Sequence, residues 1–325
     1  MSFLLLLLGL LLLLAGGTSL VNGASRVAGH FGISPLVVGL TVVAFGTSAP
    51  ELVVNIVGSF RGETALAFGN VAGSNLANLG LVLGVSALIA PVAIQGQIVR
   101  REVPLLLLGS AILFVMALDG PLNGTAPLLS RSDGVILLLL FSIFVYITVG
   151  DFLSTLEDPV KDNIRELEAS LPSSLSSGMN ASAVYIVAGI AGLGLGAQLT
   201  IVNGAELAQS LGVSPVVVGL VIVAIGTSLP ELVTSVLAAR KNESDLCVGN
   251  VVGSNIFNGL FVLPLSALVR PLPIPGGGLL DILLSLLFTA AVIIVFFYGK
   301  ARMDRKTGLA FIACYFAYMA FRVLG

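Results

Sequence analysis

Long apolar runs dominate the chain and are interrupted at short intervals by glycine, proline or charged residues. A helix that crosses a bilayer needs about 17–25 mostly apolar residues. Ten segments of suitable length and character follow one another: residues 2–22, 34–59, 66–90, 102–118, 132–150, 180–205, 214–238, 246–269, 279–298 and 308–324. The pattern predicts an all-α polytopic membrane protein with ten transmembrane helices.

Three motifs occur twice, and each second copy lies 180 residues after the first. They are ISPLVVGL at 33–40 with VSPVVVGL at 213–220, GTSAPEL at 46–52 with GTSLPEL at 226–232, and GNVAGSN at 69–75 with GNVVGSN at 249–255. Such self-similarity over most of the chain indicates a tandem duplication.

The duplication divides the chain into a first five-helix repeat over residues 1–150, a linker over 151–179 and a second five-helix repeat over 180–325. Because each repeat has an odd number of spans, the second must enter the membrane from the opposite side. We therefore expect an inverted repeat.

Composition narrows the class of protein further. Hydrophobic residues make up 57% of the chain, charged residues only 10%, and the mean hydropathy is +1.08, which excludes an ordinary soluble domain. Fifteen basic and 17 acidic residues without a long basic run do not indicate a nucleic-acid surface. Cys247 and Cys314 form no metal motif or disulfide framework. The bilayer is the expected environment, and neither a cofactor nor a protein partner can be inferred.

Topology follows from the distribution of lysine and arginine. One side of the ten spans collects 11 of these residues and the other side four, which predicts a cell-membrane protein with both termini outside and the linker in the cytoplasm. The leucine run at residues 1–17 resembles a signal peptide. However, VNGA at 21–24 recurs at 202–205, which favours a permanent first helix. The acidic linker fits a solvated connection, with a regulatory cation sensor as the alternative.

Two acidic residues, Glu51 and Glu231, lie well inside predicted spans. A carboxylate there costs about 2.5 kcal/mol or more and usually faces a cavity or a partner. Each follows a proline, Pro50 or Pro230, which lacks an N–H and crowds the carbonyl four residues earlier. The second and seventh helices should therefore break, and freed carbonyls at membrane depth commonly hold an ion. The alternative is a pair of structural kinks with protonated glutamates.

Polar residues surround these two breaks. The breaks themselves carry Thr47, Ser48, Thr227 and Ser228, and the third span of each half carries Asn70, Ser74 and Asn78 or Asn250, Ser254 and Asn258. A spacing of four places each set of three on one helix face. For Asn70 and Asn250 helix packing is an alternative. Because all these ligands are oxygen donors, they indicate a hard cation such as calcium, sodium or magnesium.

The two GTSxPE motifs, each followed by GNxxGSN, resemble the two alpha repeats of sodium/calcium exchangers in the calcium/cation antiporter superfamily. The resemblance implies a central calcium site made by Glu51, Glu231 and the main-chain carbonyls of Thr47 and Thr227, completed by Asn78 and Asn258. It also implies two flanking sodium sites. One uses Ala44, Thr47, Ser48, Glu51 and Ser74, and the other uses Ala224, Thr227, Ser228, Glu231 and Ser254.

Departures from the family pattern refine this interpretation. Some relatives carry aspartate at the position of Asn78 or Asn258, and the two asparagines here argue against potassium co-transport. Proton-coupled relatives usually place their acid in a Gly-Asn-x-x-Glu pattern, whereas this chain has Gly-Thr-Ser-x-Pro-Glu. Sodium coupling is therefore expected, and proton coupling is the alternative. A linker of about 29 residues is too short to fold into a calcium-sensing domain.

The predicted function is a secondary antiporter, not an enzyme, which exchanges three sodium ions for one calcium ion by alternating access without potassium. A cation channel would need a continuous pore, and no GxSxG or HExxH motif suggests an intramembrane enzyme. The first span of each half, 2–22 and 180–205, is rich in small residues, and we expect these two spans to slide across the core.

Overall fold

The computed structural model describes residues 2–93, 98–156, 176–210, 224–298 and 301–324, and they are almost entirely helical. The helices are α1 (Ser2–Phe31), α2 (Pro35–Thr47), α3 (Ala49–Arg61), α4 (Thr64–Ile89), α5 (Val103–Leu122), α6 (Arg131–Leu156), α7 (Ser176–Ser210), α8 (Ala224–Thr227), α9 (Leu229–Arg240), α10 (Ser244–Val269), α11 (Gly278–Tyr298) and α12 (Arg305–Leu324). The strands are β1 (Val92–Ala93), β2 (Leu128–Leu129), β3 (Leu272–Pro273) and β4 (Arg302–Met303).

The polytopic helical class is confirmed. Among the described residues, seven helices are long and apolar enough to cross a membrane, or eight if α2 and α3 form one bent span. The start of the predicted seventh span, residues 214–223, lies outside the described residues. The predicted tenth span corresponds to α12, which is not among the seven.

Several helices continue beyond the predicted span limits. Helix α1 reaches Phe31 instead of residue 22 and ends at Gly32, whose φ of 61° is left-handed. No proline interrupts α1 before that point, so nothing in the backbone chemistry stops it earlier. Helix α6 continues to Leu156 and α7 begins at Ser176, while residues 157–175 of the predicted linker lie outside the described part of the chain.

Helices α4 and α10 form the centre of the molecule. About three quarters of their spans are buried (72% and 78%), whereas the other candidate spans are 22–39% buried. Helix α2, from the first half, lies directly on α10, from the second. A Cβ added to Gly249 would lie only 2.8 Å from the carbonyl oxygen of Leu36, so glycine is required for this approach.

Helices α1 and α7 pack along their length in antiparallel directions. Gly9 lies against Gly196, Gly16 against Leu193 and Gly23 against Ile186, so the partner's number falls as that of α1 rises. An added Cβ at Gly16 would come within 2.7 Å of the Leu193 backbone nitrogen. Small residues thus allow the two backbones to approach closely.

The predicted break in the second helix is confirmed. Helix α2 ends at Thr47, α3 begins at Ala49, and the two axes are bent by 45°. Ser48 at the break has φ −88° and ψ 5°, and its counterpart Ser228 between α8 and α9 has nearly the same values, −87° and 6°. Each proline therefore lies in the first turn of a new helix, where an N–H is not needed.

Besides the π-helical segment Ile98–Glu102, which leads directly into α5, three helices contain internal π-helical turns that the sequence did not predict. They occupy Gly39–Val43 in α2, Ala77–Val82 in α4 and Asn258–Val262 in α10. Asn78 and Asn258 lie at or next to the start of the last two. Single π turns inside α-helices are often found at functional sites, because they change the direction in which neighbouring side chains project.

Two short antiparallel ribbons add to the helical architecture. Strand β1 follows α4 and pairs with β4, which precedes α12, while β3 follows α10 and pairs with β2, which precedes α6. β1 and β3 are themselves 180 residues apart. Each ribbon therefore joins the two halves in the same way, and the repeat seen in the sequence is also a repeat in structure.

Candidate ion-binding site

The centre of the site is formed by two carboxylates, Glu51 and Glu231, in the first turns of α3 and α9. Both side chains are fully buried (0% exposed). Glu231 Oε1 accepts a hydrogen bond of 2.8 Å from Ser48 Oγ and a longer one of 3.5 Å from Ser254 Oγ. Among the described residues, neither oxygen of Glu51 and only one of Glu231 has a hydrogen-bond partner.

Hydrogen bonds between the halves position the two broken helices. Thr47 Oγ1 donates to Asn250 Oδ1 at 3.1 Å, and in the mirrored arrangement Thr227 Oγ1 donates to Asn70 Oδ1 at 3.4 Å. Each asparagine then donates from Nδ2 to its own half: Asn250 to Ser235 Oγ at 2.9 Å and Asn70 to Asn55 Oδ1 at 3.3 Å. Asn70 and Asn250 thus hold the breaks in place, which supports a positioning role for them.

Several side-chain oxygens of the sequence-predicted site lack a hydrogen-bond partner in the described structure. The side-chain oxygens concerned are Glu51 Oε1 and Oε2, Glu231 Oε2, Ser74 Oγ, Ser228 Oγ, Asn78 Oδ1 and Asn258 Oδ1. A buried polar atom left without a partner costs about 1–3 kcal/mol. Calcium takes 6–8 oxygen ligands, including carboxylates and amide carbonyls. The chemistry of this donor set therefore fits a hard cation.

The remaining residues that the sequence predicted for the site are Ser74, Ala44 and Ala224. Ser74 is buried, and its hydroxyl has no hydrogen-bond partner among the described residues. Ala44 is buried, and its carbonyl accepts from Ser48 N at 3.0 Å and from Thr47 Oγ1 at 3.3 Å. Ala224 begins α8. In the described part of the chain, no three His, Cys, Asp or Glu side chains cluster, so the ligands beyond the two carboxylates are neutral oxygens.

The two halves of the site are not equivalent. Ser48 Oγ is bonded to Glu231, whereas the hydroxyl of its counterpart Ser228 has no partner among the described residues and Glu51 accepts nothing. The first-half carboxylate is therefore the less satisfied of the two. A cation can therefore bind the Glu51 carboxylate without breaking a hydrogen bond to it.

Sequence analysis missed Asn55 and Ser235. Both are fully buried, and each accepts from the motif asparagine of its own half. A signal was present, because each lies four residues after its glutamate and therefore on the same helix face. The two positions also correspond under the displacement of 180 residues.

The chain is similar in sequence to known membrane proteins over most of its length. The sequence profile described as "Sodium/calcium exchanger protein" matches residues 1–150 and 181–324. The chain is 37% identical to "Inner membrane protein YrbG" of Escherichia coli over 82% of this chain and 79% of that protein. It is 30% identical to "Sodium/calcium exchanger MaX1" of Methanosarcina acetivorans over 98% and 97%.

Solved structures agree in fold. The sodium-calcium exchanger NCX_Mj, after soaking with 10 mM Na⁺ and no Ca²⁺, superimposes with a TM-score of 0.84 at 31% identity, covering 98% of both chains. The match therefore extends over nearly the whole of both chains.

Proposed function

The chain belongs to the sodium/calcium exchanger protein family, and we propose that it exchanges sodium for calcium across the membrane as a secondary active antiporter. One observation carries the proposal. The fully buried carboxylates of Glu51 and Glu231 each follow a helix break, and three of their four oxygens lack a hydrogen-bond partner among the described residues. Two buried negative charges at such a place are unfavourable unless a cation balances them.

Calcium binds at the centre in this proposal, and sodium binds there and on either side. The calcium ligands are Glu51, Glu231, Asn78, Asn258 and the carbonyls of Thr47 and Thr227. The flanking sodium ligands are Ala44, Thr47, Ser48, Glu51 and Ser74 in the first half and Ala224, Thr227, Ser228, Glu231 and Ser254 in the second. Support for the second-half site comes from Ser254, whose hydroxyl donates to Glu231 at 3.5 Å. Ser48 donates to Glu231 as well, so the structure links it to the carboxylate of the opposite half.

We propose ten transmembrane helices in two inverted repeats, with the linker in the cytoplasm and both termini outside. The antiparallel packing of α1 and α7 supports inversion, since these are the first helices of the two halves. Topology can be tested with single cysteines in a background that lacks the two native ones. A thiol reagent that cannot cross the membrane should label Asn123→Cys from outside and Asp304→Cys only from inside, and the reverse pattern would overturn the orientation.

The proposed 3:1 stoichiometry combines a count of charges with the family resemblance, which implies a third sodium ion beside the two flanking ones. With Asn78 and Asn258 neutral, the two carboxylates contribute −2, which one calcium ion cancels. Three sodium ions leave the site at +1, so a 3:1 cycle moves one positive charge. No further carboxylate is available to bind potassium at the centre, and exchange should not require it.

Calcium uptake into proteoliposomes tests the function. Vesicles loaded with sodium should accumulate radiolabelled calcium, and a sodium ionophore should abolish the uptake. Vesicles with the Glu51→Gln/Glu231→Gln double variant measure the leak. Calcium uptake driven by a proton gradient alone would show that the exchange is coupled to protons and not to sodium. Calcium movement that needs no counter-ion would indicate a channel.

Alternating access in this protein is proposed to arise from sliding of α1 and α7 across the core. Their interface with each other is formed by glycines, and Gly17 of α1 lies against Val233 of α9. Because Gly17 meets the apolar side chain of Val233 and Ile190 of α7 meets Gly46 of α2, these contacts with the core are apolar, and we expect the pair to slide along them.

A further inference from the structure

A small cavity lies among α4, α5, α10 and α11. Its volume is about 30 Å³, and a cavity needs about 10–15 Å³ to hold a water molecule. One or two waters therefore fit. The wall is mainly apolar, with five polar residues: Asn75, Ser110, Asn255, Asp281 and Ser285.

Asn75 and Asn255 occupy equivalent positions in the two halves, each directly after the serine of its motif. Both side chains are buried (8% and 0% exposed), and the amide oxygen of each lacks a hydrogen-bond partner among the described residues. Asn255 Nδ2 donates to the backbone carbonyl of Asn75 at 3.1 Å. Rotating that amide would place two acceptors against each other, so its oxygen orientation is determined by this bond.

The ligand for this cavity must supply donors or positive charge, because the two amide oxygens can only accept. Asp281 is the only carboxylate in the wall. It accepts from the Tyr318 hydroxyl and pairs with the Arg322 guanidinium at 3.3 Å. Since Arg322 balances its charge, the cavity has no excess negative charge to hold a cation, and a neutral donor is favoured.

We propose that this cavity is a water-binding site in which water donates to the amide oxygens of Asn75 and Asn255 and so links α4 to α10. Buried water typically makes about three hydrogen bonds to polar groups that lack other partners. Ser110 and Ser285 can complete its bonding. The same two helices carry Ser74 and Ser254 one residue earlier, so the water is a positioning element behind the ion site.

Radiolytic footprinting tests the proposal, since hydroxyl radicals formed from bound water oxidise neighbouring side chains. Phe68 and Leu260 line the cavity and are 0% and 2% exposed, while Leu20 is equally buried at 0% but lies elsewhere. We expect Phe68 and Leu260 to be oxidised much faster than Leu20. Equal, slow oxidation of all three in the unmodified protein would overturn the proposal, whatever the transport activity.

Two double variants test whether the water binds at the asparagine amides. Asn75→Leu with Asn255→Leu should lower the oxidation of Phe68 and Leu260 to the level of Leu20. Ser86→Ala with Ser266→Ala is the matched control, because these buried hydroxyls lie on the same helices but donate to their own helix carbonyls at 2.8 and 3.0 Å. Oxidation that persists in the asparagine variant contradicts the assignment. Anomalous density for thallium(I) between the two amides would identify a cation site instead and also overturn it.

Discussion

Replacement of Glu51 by glutamine is the sharpest test of the central site. The change preserves the shape of the side chain and removes one of two buried charges. A bound calcium would then carry an uncompensated charge of +1 at the centre of the membrane. The cost of such a charge is about 2.5–3.5 kcal/mol on insertion scales.

That cost converts to affinity directly. At about 1.4 kcal/mol for each factor of ten, calcium should bind about 60- to 300-fold more weakly. Glu231→Gln should cause a similar loss, because its charge contributes equally. The loss should show in the calcium dependence of uptake into sodium-loaded proteoliposomes.

Two controls make the result interpretable. Glu206→Gln also removes a carboxylate, but from an exposed position on α7 where it accepts from Ser2, and it should leave the calcium dependence unchanged. Size-exclusion chromatography of each variant checks folding. If well-folded Glu51→Gln or Glu231→Gln protein takes up calcium with the unmodified concentration dependence, the reasoning from two central charges is wrong.

Three further predictions concern stability, gating and charge movement. Without bound cations, Glu51→Gln should raise the melting temperature in detergent because it relieves repulsion between two buried carboxylates, and a lower melting temperature would contradict this. A disulfide between Gly17→Cys and Val233→Cys, where an added Cβ would lie 2.8 Å from Val233 Cγ1, should stop exchange until it is reduced, and unchanged turnover of fully crosslinked protein would exclude sliding. Sodium-driven calcium flux should change with membrane potential, since moving one charge is worth about 2.3 kcal/mol per 100 mV. Potassium should affect the flux only in the Asn258→Asp variant. Voltage-independent flux, or a potassium requirement in the unmodified protein, would show that the charge count is wrong.

The helical membrane class, the repeat and the break in the second helix could be predicted from the sequence because each depends on local chemistry. A run of apolar side chains determines partition into a bilayer. Pro50 lacks an N–H whatever surrounds it, and the break at Ser48 follows. The two acids could be identified as site residues because burial of a carboxylate in a membrane is costly wherever it occurs.

The partners of those residues could not be predicted, because they come from the other half of the chain. The bond from Ser48 to Glu231 joins residues 183 positions apart, and that from Thr47 to Asn250 joins residues 203 apart. The sequence displays both hydroxyls but contains no information on which carboxylate each one meets. Only the packing of the two halves against each other decides it. Among the described residues, the same packing leaves the hydroxyl of Ser228 without a hydrogen-bond partner.

The π turns beside Asn78 and Asn258 and the cavity beside Asn75 and Asn255 were likewise determined by tertiary structure. Asn75 and Asn78 are three residues apart in the sequence, as are Asn255 and Asn258, and in a continuous α-helix that spacing places both members of a pair on one face. A π turn has an unfavourable local geometry and persists only where neighbouring helices stabilise it. The direction in which each amide projects, toward the ion site or toward the cavity, is therefore set by contacts between the two halves.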